Sequence, residues 1–352
     1  MADGVKARAL WFVEPRRVEI REAPLPQPGP GQVLVRTRIS AVSAGTELLV
    51  YRGQAPTELP ADATLPALTG TLAFPLPYGY SAVGNVIALG PGVPENYKGR
   101  LVFAFQPHAS HFIAAAEDLI LLPETTSPES AVFLPNLETA VNLLLDGNPR
   151  VGEQVAVLGQ GIVGLLVTAL LGRFPLAALV TVDAHPLRRE ASLALGAHVC
   201  LDAHESGLPA ALRDRLQADR PYSGADLVYE LTGDPASLDV AIAVAGHAGR
   251  IIVGSWYGTK RAAPDLGGRF HRERLRLVSS QVSTLPPELA GTWTTARRLD
   301  VARSLLATLP LTNLISHRLP FDRAPDAYRL LDEDPAKTLQ VLLTYGPGDE
   351  GD

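Results

Sequence analysis

The stretch VAVLGQGIVG places Gly159, Gly161 and Gly164 in G-x-G-x-x-G spacing, directly after an apolar run and at the start of a helix-like one. This spacing suits phosphate binding. Gly159 permits a tight turn, Gly161 lets backbone approach a pyrophosphate, and Gly164 lets the following helix pack closely on a sheet. Ile162 and Val163 open that helix, whose free N–H groups and positive dipole end favour an anion. Asp183 ends the next apolar run, 19 residues after Gly164, a spacing suited to a carboxylate that accepts from the adenosine ribose hydroxyls. A carboxylate there repels a 2′-phosphate, so the expected cofactor is NAD rather than NADP. Arg188 and Arg189 follow; Arg188 is read as flanking adenine, binding a 2′-phosphate, or standing solvated on its helix.

His108 and His111 form an H-x-x-H pair in PHASHF. A metal needs a third convergent ligand, and the short loop offers none, so no metal is expected. His108, with a reference pKa of about 6.5, is instead the best acid/base candidate. Cys200 is the only cysteine, which excludes an internal disulfide and a four-thiolate zinc site.

Positioning these groups requires two kinds of element. Up to about residue 130 the chain shows short β-like runs, VEIRE, QVLVRTRIS, AVGNVIALG and RLVFAF, punctuated by Pro/Gly turns. From LETAVNLLLDG onward helical spacing appears, and from Gln154 strands alternate with helices: QVAVLG, LVTVD, HVCLD, ADLVYELTG, RIIVGSW and RLRLVSSQ as strands. Apolar strands separated by helices predict a parallel sheet covered on both faces. The tail adds two helices, ARRLDVARSLLATL and APDAYRLLDED, and a closing strand, TLQVLLTY, expected to return to the first domain.

The chain has 352 residues and a formal charge of −6, with 46% apolar and 19% charged residues. That is a globular composition of two-domain length. The acidic balance, without a basic stripe, predicts no nucleic-acid partner. No apolar run reaches the roughly 18 residues of a membrane span. The start MADGVKARALWFVEPRR lacks an apolar secretory region, so a cytoplasmic location is expected.

KARALWF, SAGTE, VGNVIALGPGV, VGEQVAVLGQGIVG, GRIIVGS and LISHRLPFDRAPDAYRLLD together resemble the medium-chain dehydrogenase/reductase superfamily over nearly the whole chain. SAGTE, Tyr80, PHASHF, GSWYG, FHRERL and SSQVS are similar to a zinc-free branch that includes bacteriochlorophyllide a dehydrogenase. The resemblance implies an α/β fold: a GroES-like β catalytic domain (1–138 and 284–352) plus a doubly wound parallel-sheet Rossmann domain (139–283). Relatives are commonly dimers or tetramers, so a homo-oligomer, in the simplest case a homodimer, is expected. In zinc relatives a cysteine stands where Ala44 is, a histidine where Tyr80 is, and a Cys or Glu near Pro135. All three preferred donors are gone.

Zinc lowers the pKa of bound water from about 15.7 to about 7, by analogy about 12 kcal/mol of anion stabilisation. One preorganised donor supplies only about 2.7–4 kcal/mol, so a zinc-free enzyme needs several. By family position Thr46 matches the proton-relaying hydroxyl, and the Tyr80 phenol points to the vacated metal position or fills it. Glu47 is either a further catalytic group or a buried structural carboxylate. Thr139, Thr232, Gly254, Ser255 and Trp256 match segments that touch the nicotinamide half. Phe105, Asn136 and Tyr257 are expected to wall the substrate pocket. The implied activity is zinc-independent hydride transfer between a small secondary alcohol (sugar-, cyclitol- or secondary-metabolite-like) and NAD. The alternatives are a zinc-free enone or quinone reductase using NAD(P)H and a non-catalytic NADH-binding relative.

Overall fold

In a computed structural model, residues 5–216 and 224–346 are described. The chain divides into two compact units, Met1–Pro135 with Leu306–Asp352, and Asn136–Leu305. The division gives residues 284–305 to the second unit, where the sequence had suggested the first. The reason is local. Arg298, buried in the helix Thr295–Leu305, pairs with Glu138 at 2.9 Å and donates to Asn142 Oδ1 at 2.7 Å, both on the helix Leu134–Gly147.

Among the described residues of the second unit, six parallel strands form one sheet. From edge to edge they are Val199–Asp202, Ala178–Asp183, Gln154–Leu158, Ala225–Glu230, Ala245–Val253 and Arg276–Ser279. Counted along the chain this is the order 3-2-1-4-5-6 of the doubly wound dinucleotide fold. Val155, Ala156 and Val157 are fully buried, as helices on both faces demand. The order reverses between Gln154–Leu158 and Ala225–Glu230, which run in register with Glu230 opposite Leu158. The helix expected over LPAALRDRLQA spans Leu208–Arg215; Gln217 and Ala218, also part of that expectation, lie outside the described residues.

The first unit carries two sheets. Lys6–Glu14 pairs antiparallel with Arg17–Pro24 and Leu76–Pro77. The larger sheet centres on Gln32–Ala41, paired with Ala82–Leu89, His111–Ala115 and the returning strand Gln340–Thr344. The helix Ala324–Glu333 buries Ala324, Ala327, Tyr328 and Leu331, an i, i+3, i+4, i+7 stripe. Tyr328 meets Phe12 edge-on at 5.1 Å and Tyr51 at 5.5 Å, so this C-terminal helix and the first strand share one core.

Candidate active site

The dinucleotide loop follows from the turn its glycines allow. Gly159 has φ +92°, and a Cβ there would lie 2.7 Å from the Leu231 carbonyl carbon. A Cβ on Gly164 would collide with the Gly159 carbonyl oxygen, so the helix Ile162–Leu171 can seat against the turn only with glycine there. A Cβ at Gly161 would meet nothing within 4 Å. That open space adjoins a helix N-terminus with no side-chain cap. This is the cradle a pyrophosphate requires, and the residues fit a dinucleotide.

Asp183 closes the neighbouring strand and is buried. Its Oδ2 accepts from Gln160 N at 2.7 Å and its Oδ1 from His185 N at 2.8 Å. The carboxylate is therefore held rigidly at the mouth of the glycine loop. Arg188 Nη1 lies 3.9 Å from Asp183 Oδ2. Burial lowers the Arg188 pKa and Asp183 raises it. Burial and the Arg188 charge together hold the His185 imidazole below its ordinary value.

At the ends of the next two strands a second cluster forms. Glu230, fully buried, accepts through Oε1 from Thr232 N (2.8 Å) and Oγ1 (2.5 Å), and through Oε2 from the Tyr257 hydroxyl at 2.5 Å. Burial and this carboxylate push the Tyr257 phenol well above its usual value. Gly233 N donates to Ser255 Oγ at 2.9 Å, and Gly254 N donates to Glu230 O at 3.0 Å. Trp256 is exposed, and Thr139 and Asn136 are half-buried on the first turns of the helix Leu134–Gly147.

In the β unit, Thr46 and Glu47 stand in the first turn of the helix Ala44–Tyr51. Ser43 is the N-cap, yet its side chain makes no capping bond. Glu47 Oε1 accepts from Ser43 N at 2.7 Å instead, satisfying an otherwise orphaned donor. This leaves the Ser43 hydroxyl for Tyr80, whose phenol donates to it. The Thr46 side chain acts on the same phenol, lowering its pKa. Three half-buried hydroxyls, Ser43, Thr46 and Tyr80, thus meet beside Ala44. Burial pushes the Tyr80 pKa up to about 12, with Ser43 and Thr46 pulling it back. At neutral pH it is a protonated donor.

The position expected for His108 as a direct acid/base is corrected here. Its side chain is 0% exposed. Nε2 lies 3.0 Å from Glu47 Oε2, and Nδ1 lies 2.7 Å from Ser40 Oγ, which is itself 2.9 Å from the Tyr345 hydroxyl. Nε2 thus faces the carboxylate and Nδ1 the serine hydroxyl. Both nitrogens are committed within the protein, so His108 does not reach a substrate. Glu47, also 0% exposed, accepts from the Tyr328 hydroxyl as well; of its two expected roles the buried structural one matches this placement. Phe105 is half-buried, edge-on to Phe103 at 5.0 Å.

Ser43, Ser40, Tyr328, Tyr345 and Glu230 were not singled out from sequence. Only Ser43 carried a signal, as a residue type favoured at helix N-caps. For zinc, the donor set does not fit. Ala44 and Pro135 offer no side-chain donor, and the Tyr80 phenol donates to the Ser43 hydroxyl. Among the described residues no group of three His, Cys, Asp or Glu could hold a metal ion. No described helix is long and apolar enough to cross a membrane.

No protein-family model matches the chain. Among curated proteins, D-guloside 3-dehydrogenase of Escherichia coli (strain K12) is 24% identical over 333 residues, covering 89% of this chain and 93% of the relative. The 2-desacetyl-2-hydroxyethyl bacteriochlorophyllide A dehydrogenase of Rhodobacter capsulatus is 26% identical over 349 residues, covering 94% and 96%. A solved alcohol dehydrogenase of E. coli CFT073, complexed with NADH, superposes with TM-score 0.77 at 20% identity, covering 97% and 100% of the two chains. A zinc-binding dehydrogenase of Sinorhizobium meliloti bound to NADP gives 0.76 at 19%, covering 96% and 99%. With a β unit and a 3-2-1-4-5-6 dinucleotide sheet, the chain has the fold of these dehydrogenases and is similar to medium-chain alcohol dehydrogenase-like proteins along nearly its whole length.

Proposed function

We propose that this protein is an NAD-dependent, zinc-independent dehydrogenase that oxidises a secondary alcohol of a sugar- or cyclitol-like small molecule. The observation that carries the reading is the Ser43–Thr46–Tyr80 hydroxyl cluster beside Ala44, where zinc relatives hold their metal. A nicotinamide held by the dinucleotide loop would supply the acceptor for the carbinol hydride. The chain's own residues manage the proton and the oxygen. Tyr80 and Thr46 hydrogen-bond the substrate oxygen; in the reducing direction the Tyr80 O–H donates to the carbonyl oxygen and is reprotonated through the cluster, and in oxidation the alcohol proton enters the cluster as another leaves it for solvent at the half-exposed Ser43 or Thr46. Two or more donors at about 2.7–4 kcal/mol each approach, without equalling, what a metal supplies. An easily oxidised polyol carbinol suits that weaker stabilisation. The name of D-guloside 3-dehydrogenase supports a sugar-like substrate.

Binding of the dinucleotide falls to Gly159, Gly161 and Gly164, the N–H groups of Ile162 and Val163, and Asp183. The rigid Asp183 carboxylate supports NAD, since two like charges brought together cost several kcal/mol. NAD is therefore expected to be preferred over NADP by about a hundredfold in kcat/KM, and Asp183→Ala to narrow that preference about tenfold or more. Steady-state titrations with both cofactors check it; equal use by the wild type contradicts the assignment. The metal question is tested by turnover of secondary polyols with NAD after exhaustive chelation, with elemental analysis of the same sample. Full turnover without stoichiometric zinc is expected. Loss on chelation that added zinc restores would sink the reading.

A further inference from the structure

The fully buried Glu230 carboxylate lies outside the glycine loop and outside the hydroxyl cluster. Its surroundings are built to fix one peptide. Oε1 holds both the N–H and the hydroxyl of Thr232. The next residue, Gly233, is gripped at both backbone atoms, its N–H by Ser255 Oγ at 2.9 Å and its carbonyl by Lys260 Nζ at 2.6 Å. Tyr257, between those two residues, closes the ring through Glu230 Oε2. Glu230 thus ties the loop 255–260 to the turn 232–233.

The location gives the clamp its purpose. The strand Ala225–Glu230 is where the sheet order reverses beside Gln154–Leu158, and ligands of such sheets bind in the crevice at that reversal. A Cβ on Gly159 would lie 2.7 Å from Leu231 O and 2.8 Å from Thr232 N, so the clamped Leu231–Thr232 peptide is the opposite wall of the dinucleotide loop. We infer that Glu230 and Tyr257 are positioning residues for the dinucleotide: they hold the Leu231–Gly233 wall against the Gly159 turn and thereby set cofactor affinity. Tyr257 acts through Glu230 and Thr232, a role different from the substrate-pocket wall expected from sequence.

The inference rests on the cofactor reading above, and its test reads binding rather than turnover. NADH is titrated against wild type, Tyr257→Phe and Glu230→Gln, following protein fluorescence, with thermal unfolding measured alongside. Tyr257→Phe removes one hydrogen bond to a charged group and is expected to weaken NADH binding about tenfold at an unchanged circular dichroism spectrum. Glu230→Gln keeps an acceptor for Thr232 and so retains more affinity than Tyr257→Phe. Should Tyr257→Phe fail to fold, the comparison falls to Glu230→Gln and Ser255→Ala, each expected to weaken NADH measurably. NADH affinity within twofold of wild type in every folded variant overturns the clamp. No binding to the wild type overturns the cofactor reading itself, a distinguishable failure.

Discussion

Tyr80→Phe lowers kcat by about a hundredfold to a thousandfold, the effect of losing one preorganised donor worth about 2.7–4 kcal/mol. The substitution keeps the ring and its edge-on contact with Tyr78 at 6.3 Å, so packing is preserved while the phenol that bonds Ser43 is lost. NADH affinity stays at the wild-type value, because the dinucleotide loop and Asp183 lie wholly within Asn136–Leu305. The pH profile carries a second part of the prediction. With its pKa pushed up to about 12, Tyr80 remains protonated through neutral and mildly alkaline pH. The rate of alcohol oxidation therefore shows no inflection near pH 10 that disappears in Tyr80→Phe. Such an inflection would make the phenolate a base, and a kcat within threefold of wild type would remove Tyr80 from the chemistry.

The second large effect falls on stability. Glu47→Ala strips the acceptor from Ser43 N, the Tyr328 hydroxyl and His108 Nε2 at once. The Tyr328 hydroxyl and His108 Nε2 are left in a region from which water is excluded, at about 1–3 kcal/mol apiece before relaxation, and the half-buried Ser43 N–H loses its cap. Together the stranded donors cost about 3–5 kcal/mol. At about 2–4 °C per kcal/mol for a unit of this size, the thermal transition of the β unit drops by about 10 °C. Differential scanning calorimetry checks it, with the transition of the Rossmann unit as internal reference. Glu47→Gln retains an acceptor for Ser43 N and destabilises less. A shift under 2 °C in Glu47→Ala would mean the network contributes little.

How much of this was legible in the sequence depended on whether the signal was local. The dinucleotide loop was legible because its three glycines, the preceding apolar strand and Asp183 lie on one βαβ segment with fixed spacing. The strand–helix alternation after Gln154 was equally plain, since fully buried parallel strands read as continuous apolar runs. The helix Ala44–Tyr51 was not anticipated: at eight residues it is too short to show a period, and its cap comes from a carboxylate rather than the serine. His108 was misplaced for a related reason. Its residue type suggested acid/base work, but its partners Ser40, Glu47, Tyr345 and, through Glu47, Tyr328 come from four separate stretches. Glu230 was passed over as one acid at a strand end; what distinguishes it is the Tyr257 hydroxyl, 27 residues away.

The returning C-terminal segment also bears on how the protein is made. Tyr328 and Tyr345, which complete the bonds around Glu47 and Ser40, are among the later residues to be translated. Most of Asn136–Leu305 precedes them in the chain, and domains tend to fold as they emerge. The unit begun first on the messenger is thus finished second. A nascent chain lacking Tyr328 and Tyr345 would hold every residue of the dinucleotide sheet while the bonds they make to Glu47 and Ser40 are still missing.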